Sequence, residues 1–237
     1  MRLVIPTWIF LTLFFVFAII FNLCNVNMGI IFKSYALTSG IGYVWVIRVY
    51  FIVSILLPIY KMLVNKINIK IHTFAVIAVY IIYEVLCHYG IFEIKIINYL
   101  FAYFIPCYLL ISVSNCLFDS DNKKITIVGV TSFLIYLSIA IYLYNTTGEI
   151  KSTQSMKYPF RLYYLSYGIF MSSVLILVTN FKKVCSVLNS KFVTFISSHS
   201  LWIYLWHILI IYIIRPYKIS CFYSLLIILV LSIVITY

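Results

Sequence analysis

Residues 195–214 read FISSHSLWIYLWHILIIYII, and the apolar part of this stretch is long enough to cross a lipid bilayer. The stretch begins with a polar box, SSHS at 197–200, and carries His207 in its middle, behind Tyr204 and Trp206. A titratable imidazole is costly at bilayer depth and usually faces protein or a water-filled cavity. The stretch therefore predicts a membrane span that turns His207 towards other parts of the chain.

The composition extends this prediction to the whole chain. Of its 237 residues, 65% are hydrophobic and 9% are charged, whereas a soluble domain has about 45–50% apolar and about 25% charged residues. So few charges cannot cover the surface of a soluble core of this size. The sequence therefore predicts an all-α, polytopic membrane protein whose surroundings are the lipid bilayer.

Apolar stretches long enough to span a bilayer, which takes about 20 residues, recur along the whole chain. We expect eight transmembrane helices in a single membrane-embedded domain that covers residues 1–237. The predicted spans are 5–23, 42–64, 72–90, 96–117, 125–144, 162–180, 198–214 and 221–237.

The net charge of +12 would suggest nucleic acid as the partner of a soluble protein. Here the basic residues lie mostly in short loops between apolar stretches, where they orient the spans, so no nucleic-acid partner is expected. The lysines within 61–70 and within 182–191 are typical of cytoplasmic loops and place the N-terminus in the cytoplasm. No cysteine or histidine group has metal-ligand spacing, so no metal is expected either.

Three charged or titratable residues inside or beside the spans are candidates for chemistry. Arg48 lies about a turn and a half into a span, where it either snorkels to the interface or lines a polar cavity that binds an anionic or sugar group. Glu84 and His88 are four residues apart and therefore share one face of a helix. They form either an acid–base pair or an interfacial pair near the water.

Two cations close the longest outer loop, which runs from 145 to 161. Lys157 and Arg161 flank a proline and are followed by three tyrosines within 163–167. Aromatic rings beside cations suit sugar or phosphate groups. The alternative is an aromatic belt with a basic flank at the membrane interface.

His207 is open to two interpretations. It is either a general base or hydrogen-bond donor for a substrate, or a buried histidine that bonds to a neighbouring helix. A lone histidine with no nucleophile or carboxylate partner beside it in the sequence is a weak signal of catalysis.

Four stretches, in order, resemble motifs of the membrane acyltransferase-3 family. SLWIYLWH at 200–207 resembles the family's S-x-x-I-Y-L-W-H segment, and KYPFRLYYLSYG at 157–168 resembles its K-Y-P-x-R-x-Y-Y segment. GYVWVIR at 42–48, running on to Pro58, is similar to its W-x-x-R span that ends in proline, and MRLVIP at 1–6 is similar to the segment after its R-x-x-R motif. Over almost its whole length the chain thus resembles multi-span O-acyltransferases that modify surface polysaccharides, lipid-linked sugars, peptidoglycan or small molecules.

The resemblance implies an acyltransferase that transfers groups other than aminoacyl groups. Such an enzyme takes an acetyl group from cytoplasmic acetyl-CoA, its co-substrate, and delivers it to a hydroxyl of a cell-surface or lipid-linked glycan. The implied location is the plasma (inner) membrane of a bacterium. The resemblance assigns the CoA phosphates to Arg2 and Arg48. The candidate contacts for the acceptor are Lys157 and Arg161, together with Tyr204 and Trp206, which are expected to line a cavity or to pack between helices.

The chain also departs from the family pattern. Family members usually have ten core spans, and the likeness starts this chain at the third, with Arg2 as the second arginine of R-x-x-R. We therefore expect the chain to be N-terminally incomplete relative to the family. The first family span normally carries the essential histidine, so the resemblance assigns no catalytic residue here. The candidates are His207, Glu84 and His88, of which His207 is expected to line a cavity or to pack between helices.

Three other functions stay open. A polysaccharide polymerase is also rich in spans and aromatic residues, but it typically carries a large outer loop, which this chain lacks. A transporter would favour broken spans at matching positions in two halves, and seven glycines without repeat symmetry do not support that. A catalytically inactive acyltransferase remnant fits the expected loss of the family histidine.

Overall fold

The computed structural model describes residues 3–37, 41, 45–90, 95–118, 121–157, 160–217 and 219–237. This part of the chain is 85% helical and contains no strand, which confirms the predicted all-α class. In chain order the helices are α1 (Val4–Ile20), α2 (Met28–Tyr35), α3 (Trp45–Lys66), α4 (Ile69–His88), α5 (Lys95–Phe118), α6 (Asn122–Thr147), α7 (Leu162–Thr179), α8 (Lys182–Leu188), α9 (Lys191–Ser198), α10 (Ser200–Ile214) and α11 (Cys221–Thr236). Short 3₁₀ helices lie at Thr153–Met156 and Arg215–Tyr217.

Five helices of the described chain are long and apolar enough to cross a membrane. They are Val46–Lys66 within α3, the whole of α4, α6 and α7, and Ser200–Tyr217, which joins α10 to the 3₁₀ turn after it. The helices α1 and α11, and the part of α5 from Tyr103 to Asn115, are apolar but shorter. Each predicted span coincides with one of these helices, so the prediction of a multi-pass membrane protein is confirmed.

Three short helices, α2, α8 and α9, lie between the predicted spans. Two of them begin at a capping side chain, which satisfies a backbone N–H that the helix leaves unpaired. The Asn27 side-chain oxygen accepts from the N–H of Ile30 at 2.7 Å. The Ser190 hydroxyl accepts from the N–H of Val193 at 3.4 Å. A cap of this kind is a short local pattern, and the hydropathy of a long stretch does not reveal it.

The stretch 195–214 is not one continuous helix. Helix α9 ends at Ser198 and α10 begins at Ser200, with His199 at the junction. The His199 Nδ1 atom lies 3.0 Å from both the Ser198 hydroxyl and the Phe195 carbonyl oxygen. The polar box thus ends one helix and begins the next, and the span is completed by the 3₁₀ turn that follows α10.

The chain divides into two compact units, and the first consists of residues 1–51 and 186–237. Its core forms where α1 packs against α10. The ring of Phe14 meets that of Tyr212 edge-on, with 5.1 Å between centroids. The side chains at the centre of this core have no exposed surface: Phe10, Leu11, Phe14, Leu205 and Ile208.

The second unit consists of residues 52–185, in which α4 packs on α5 and α6 packs on α7. Helices α6 and α7 approach closely at Gly129, where an added Cβ would lie only 3.1 Å from the Cβ of Ser173. Small residues at such a contact let two helix backbones come together in a membrane. One turn further along, Phe133 packs on Phe170 with 4.7 Å between ring centroids.

Candidate functional site

Glu84 is the centre of a polar cluster in the second unit. Its Oε1 accepts from Arg161 Nε at 2.7 Å. Its Oε2 accepts from the backbone N–H of Leu162 at 3.1 Å and from the Tyr80 hydroxyl at 3.4 Å. Because Leu162 is the first residue of α7, the carboxylate also faces the positive end of that helix. Glu84 therefore joins α4 to the start of α7.

The buried residue Phe160 is held to α4 by aromatic side chains. Its carbonyl oxygen accepts from the Tyr83 hydroxyl at 3.4 Å. It also lies 3.4 Å from the Tyr80 hydroxyl, whose single proton is shared with Glu84. The ring of Phe160 stacks on that of Tyr164, with 5.7 Å between centroids. Both the backbone and the side chain of this segment are thus positioned before α7 begins.

The two cations predicted to bind an acceptor have different environments. Arg161 is engaged by Glu84 inside the protein, with a quarter of each side chain exposed. Lys157 is half-buried in the loop before α7, and burial lowers the pKa of its ammonium group. Residues 158 and 159 between them lie outside the described chain. Arg161 therefore has a contact within the protein, and both residues stay predicted contacts for a sugar or phosphate group.

Two of the tyrosines after Arg161 pack on Tyr136 of α6. Tyr163 is buried, stacks on Tyr136 with 5.0 Å between centroids, and donates its hydroxyl to the Lys151 carbonyl oxygen at 3.1 Å. Tyr167 also contacts Tyr136 but keeps 37% of its surface exposed. Tyr163 thus ties the loop to α6 instead of presenting its ring to a ligand.

Glu84 and His88 lie one turn apart on α4, as predicted, but they have different partners. The carboxylate of Glu84 turns to Arg161 and the start of α7. His88 is the last residue of α4, is exposed, and lies edge-on to the ring of Tyr89 with 5.6 Å between centroids. This arrangement favours the interfacial interpretation of the pair over the acid–base one.

Arg48 anchors the segment that follows α2. Its Nε donates to the carbonyl oxygen of Leu37, whose own N–H donates to the carbonyl oxygen of Ser34 at 3.1 Å. The guanidinium therefore lies near the C-terminal end of α2, where a positive charge is favourable. This contact differs from both predicted roles of Arg48, which were snorkelling to the interface and binding an anionic or sugar group. Arg2, the other predicted phosphate partner, lies outside the described residues.

His207 lines a groove of about 520 Å³ in the first unit, between α10 and α11. The groove has mostly apolar walls and includes the side chains of Ser200, Ser224 and Ser232. The half-buried imidazole lies 4.8 Å from the ring of Tyr204, centroid to centroid, and hydrogen-bonds with the backbone of the preceding turn. Its hydrogen bonds within the described chain are to its own helix, and it lines the groove.

Tyr204 and Trp206 point to different sides of α10. Trp206 meets the ring of Phe10 edge-on, with 6.3 Å between centroids, and packs against the core formed with α1. Tyr204 lines the groove beside His207. Of the two residues predicted to contact the acceptor from this helix, Tyr204 thus lines a groove and Trp206 packs against a core.

A second groove, of about 440 Å³, lies among α3, α4 and α5 and was not anticipated from the sequence. His72 lines it and is only 5% exposed. Its Nε2 lies 2.8 Å from the Tyr108 hydroxyl, and its buried Nδ1 has no hydrogen-bond partner among the described residues. The sequence signal was a buried stripe of helical spacing along α4, formed by His72, Val76, Tyr80 and Tyr83.

The family model for acyltransferase-3 proteins, described as an acyltransferase domain, matches residues 1–237. The chain belongs to the acyltransferase-3 family. The family expected from the four motifs is thereby confirmed. No curated protein and no solved structure matches the chain.

Three acyltransferase-3 motifs now have structural roles in the described chain. The 157–168 motif carries the buried Phe160 and the Arg161 partner of Glu84. In the 200–207 motif, Trp206 packs against the α1–α10 core and His207 lines a groove. In the W-x-x-R motif, Arg48 donates a hydrogen bond to the segment that follows α2. Most of these motif residues in this acyltransferase therefore have contacts within the protein.

Proposed function

We propose that the chain is a membrane O-acyltransferase that moves an acyl group, expected to be acetyl, from cytoplasmic acyl-CoA to a hydroxyl of a cell-surface or lipid-linked glycan. The observation that carries the proposal is the acyltransferase family match over residues 1–237. It favours acyl transfer over the polymerase and transporter alternatives. The proposed location is the plasma membrane of a bacterium, with the N-terminus in the cytoplasm, where the donor is made.

The reaction sets simple chemical requirements. A base removes the proton of the acceptor hydroxyl, whose oxygen attacks the thioester carbonyl carbon. The carbon–sulfur bond then breaks, and the CoA thiolate takes up a proton. In a second route, a nucleophile of the protein first accepts the acyl group and then passes it to the hydroxyl. Either route needs a group that accepts a proton beside a space that admits the acceptor.

We assign the acceptor hydroxyl to the groove between α10 and α11. The imidazole of His207 is a suitable proton acceptor there, and Tyr204 and the serine hydroxyls of the wall suit hydrogen bonding to a sugar. The apolar remainder of the wall suits the lipid part of a lipid-linked acceptor. Glu84 acts in this proposal as a positioning residue of the second unit, and Arg2 and Arg48 are the proposed partners of the CoA phosphates.

Deleting the gene and measuring the glycan by NMR tests the proposal. We expect the acyl groups of the glycan to disappear and to return when the wild-type chain is expressed. An unchanged acyl content after deletion would disprove the function for this chain.

The assignment of His207 is tested by complementation with His207→Ala. Because general bases contribute roughly 10²–10⁴-fold to a rate, we expect acylation to fall about 100-fold or more at normal membrane expression. Ile213→Ala is the control on the same helix, since Ile213 is exposed and does not line the groove, and it should acylate normally. Near-normal acylation by His207→Ala would make His207 structural.

A further inference from the structure

Arg161 uses only part of its guanidinium group for contacts within the described chain. Its Nε donates to Glu84 Oε1 at 2.7 Å, while the terminal nitrogens, Nη1 and Nη2, have no hydrogen-bond partner among the described residues. Neither of them is a buried atom without a partner, and a quarter of the side chain is exposed. The edge formed by Nη1 and Nη2 is therefore accessible and free to donate.

Glu84 fixes the direction of this edge. The carboxylate is itself held in place, because its Oε2 accepts from the backbone N–H of Leu162 at 3.1 Å. A guanidinium group is planar and rigid, so a hydrogen bond at Nε also sets the plane in which Nη1 and Nη2 lie. A planar pair of donors matches two oxygens of a phosphate or carboxylate group. Arg161 thus presents a preorganised edge for binding an anion.

The backbone brings a second cation to the same place. The N–H of Arg161 donates to the carbonyl oxygen of Met156 at 3.1 Å, so the chain turns back on itself, and Lys157 directly follows Met156. Lys157 is half-buried, and burial lowers the pKa of its ammonium group. A bound anion would raise that pKa again, because it favours the charged form. The two cations and the carboxylate of Glu84 leave this place with a net positive charge.

Tyr164 supplies a neutral donor. It lies three residues after Arg161, and residues three apart in a helical turn are neighbours. A long side chain on a helix points back towards the start of that helix, which is where Arg161 lies. The tyrosine is half-buried, and its hydroxyl has no hydrogen-bond partner among the described residues. The hydroxyl is not a buried atom without a partner either, so a ligand is able to reach it.

We propose that Arg161, Lys157 and Tyr164 bind the phosphate group of a phosphate ester at the start of α7. The two terminal nitrogens of Arg161 take two phosphate oxygens, and the ammonium group and the hydroxyl suit a third. A carboxylate has only two oxygens and would leave one of these groups unused. The site goes beyond the proposed acyl transfer and does not depend on the groove between α10 and α11.

A sugar phosphate and a phospholipid head group share this chemistry. The loop before α7 is predicted to lie on the outer face of the membrane, where a surface glycan would present a sugar phosphate. The other source is a lipid of the same leaflet. The two sources give different results when the phosphate compound is offered in water or in a micelle.

Modification of arginine by phenylglyoxal tests the site, because this reagent attacks the terminal nitrogens of a guanidinium group. The purified full chain in dodecyl maltoside is treated with and without glucose 1-phosphate, and the rate at each arginine is followed by mass spectrometry of its peptides. We expect glucose 1-phosphate to slow the modification of Arg161 and to leave that of the exposed Arg215 unchanged. Glucuronate should need a roughly tenfold higher concentration for the same protection, since it lacks one hydrogen bond to a charged group.

A second arm replaces the sugar phosphate by phosphatidylglycerol added to the micelles. Protection by glucose 1-phosphate in water supports a site for a sugar phosphate. Protection by phosphatidylglycerol alone supports the same phosphate contacts and identifies the head group as their ligand.

Two variants that keep the arginine test the other contacts. Lys157→Gln should raise the concentration of glucose 1-phosphate for half-maximal protection about tenfold, whereas Lys151→Gln, an exposed lysine of the same loop, should change it less than about twofold. Tyr164→Phe should raise it about fivefold, and Tyr167→Phe, on the exposed side of the same helix, should leave it unchanged. If one of the two variants does not fold, the other decides.

Four results would each overturn the proposal. One is an Arg161 that does not react with phenylglyoxal, because its terminal nitrogens would then be inaccessible. A second is no protection, or equal protection of Arg161 and Arg215, by either phosphate compound. A third is equal protection by glucuronate, which would mean that the site does not select phosphate. The last is unchanged protection in both Lys157→Gln and Tyr164→Phe.

Discussion

Replacing Glu84 of α4 by alanine removes the carboxylate that accepts hydrogen bonds from the start of α7. The change leaves the guanidinium of Arg161 without its 2.7 Å partner and the N–H of Leu162 without its 3.1 Å partner. A fully buried pair costs about 3–5 kcal/mol to break, and an exposed pair is worth about 0–1 kcal/mol. With a quarter of each side chain exposed, this pair lies between the two limits. Because a hydrogen bond to a charged group adds about 1.5–3 kcal/mol, we expect a total loss of about 2–4 kcal/mol.

The free energy of unfolding in detergent, measured by titration with SDS, is the quantity to compare. Glu149→Ala is the matched control, since Glu149 is exposed and its replacement should change stability by less than about 0.5 kcal/mol. A double-mutant cycle with Glu84→Gln and Arg161→Gln should give a coupling energy of about 1–2 kcal/mol, within the range found for residues in one network.

Two outcomes would refute this reasoning. Equal stability of Glu84→Ala and Glu149→Ala would mean that aromatic packing alone holds α4 to the start of α7. A coupling energy near zero would mean that Glu84 acts through Leu162 and not through Arg161.

Three further predictions concern packing and reactivity. Gly129→Val should cost about 1–3 kcal/mol of unfolding free energy by the same titration, because its Cβ would meet α7 at 3.1 Å, whereas Gly168→Val, with nothing within 4 Å, should cost little from packing. Phe14→Ala should cost about 3–5 kcal/mol, since Phe14 is fully buried, and clearly more than Phe17→Ala on the exposed face of α1; equal losses would contradict the α1–α10 core. Burial raises the pKa of the Cys24 thiol above its ordinary value, so alkylation by iodoacetamide at pH 8 should be slower than for a short cysteine peptide, and its rate should level off at a higher pH than that of the peptide; identical pH profiles would contradict this prediction.

The long helices were predictable because a long apolar stretch is stable inside the bilayer and not in water. Every predicted span meets a helix whose bounds differ by only a few residues. The stretch 195–214 shows where such prediction stops. Its residues are apolar on both sides of the polar box. The hydrogen bonds of His199 to Ser198 and Phe195 lie at the point where the stretch divides into two helices. A hydropathy pattern does not register a break of one residue.

The candidate site was predictable only as a set of residue types. Glu84 and His207 stood out because charges and imidazoles are rare in apolar stretches, and Arg161 stood out because it closes the longest outer loop beside tyrosines. Their partners did not, because nothing local links Glu84 to a residue 77 positions away. His72 was not among the predicted site residues. It lies at the start of a helix, where a histidine is not unusual, and only its neighbours in the structure show that it is buried.

The sequence by itself determined the membrane environment, the approximate bounds of the long helices and the acyltransferase-3 family, because all three depend on consecutive residues or on short motifs. Only the tertiary structure decided what the polar residues do. It pairs Glu84 with Arg161, places His207 on a groove and Trp206 in a core, and buries His72 with one nitrogen unpartnered. These choices depend on which helix faces lie together, and contacts between distant segments set them.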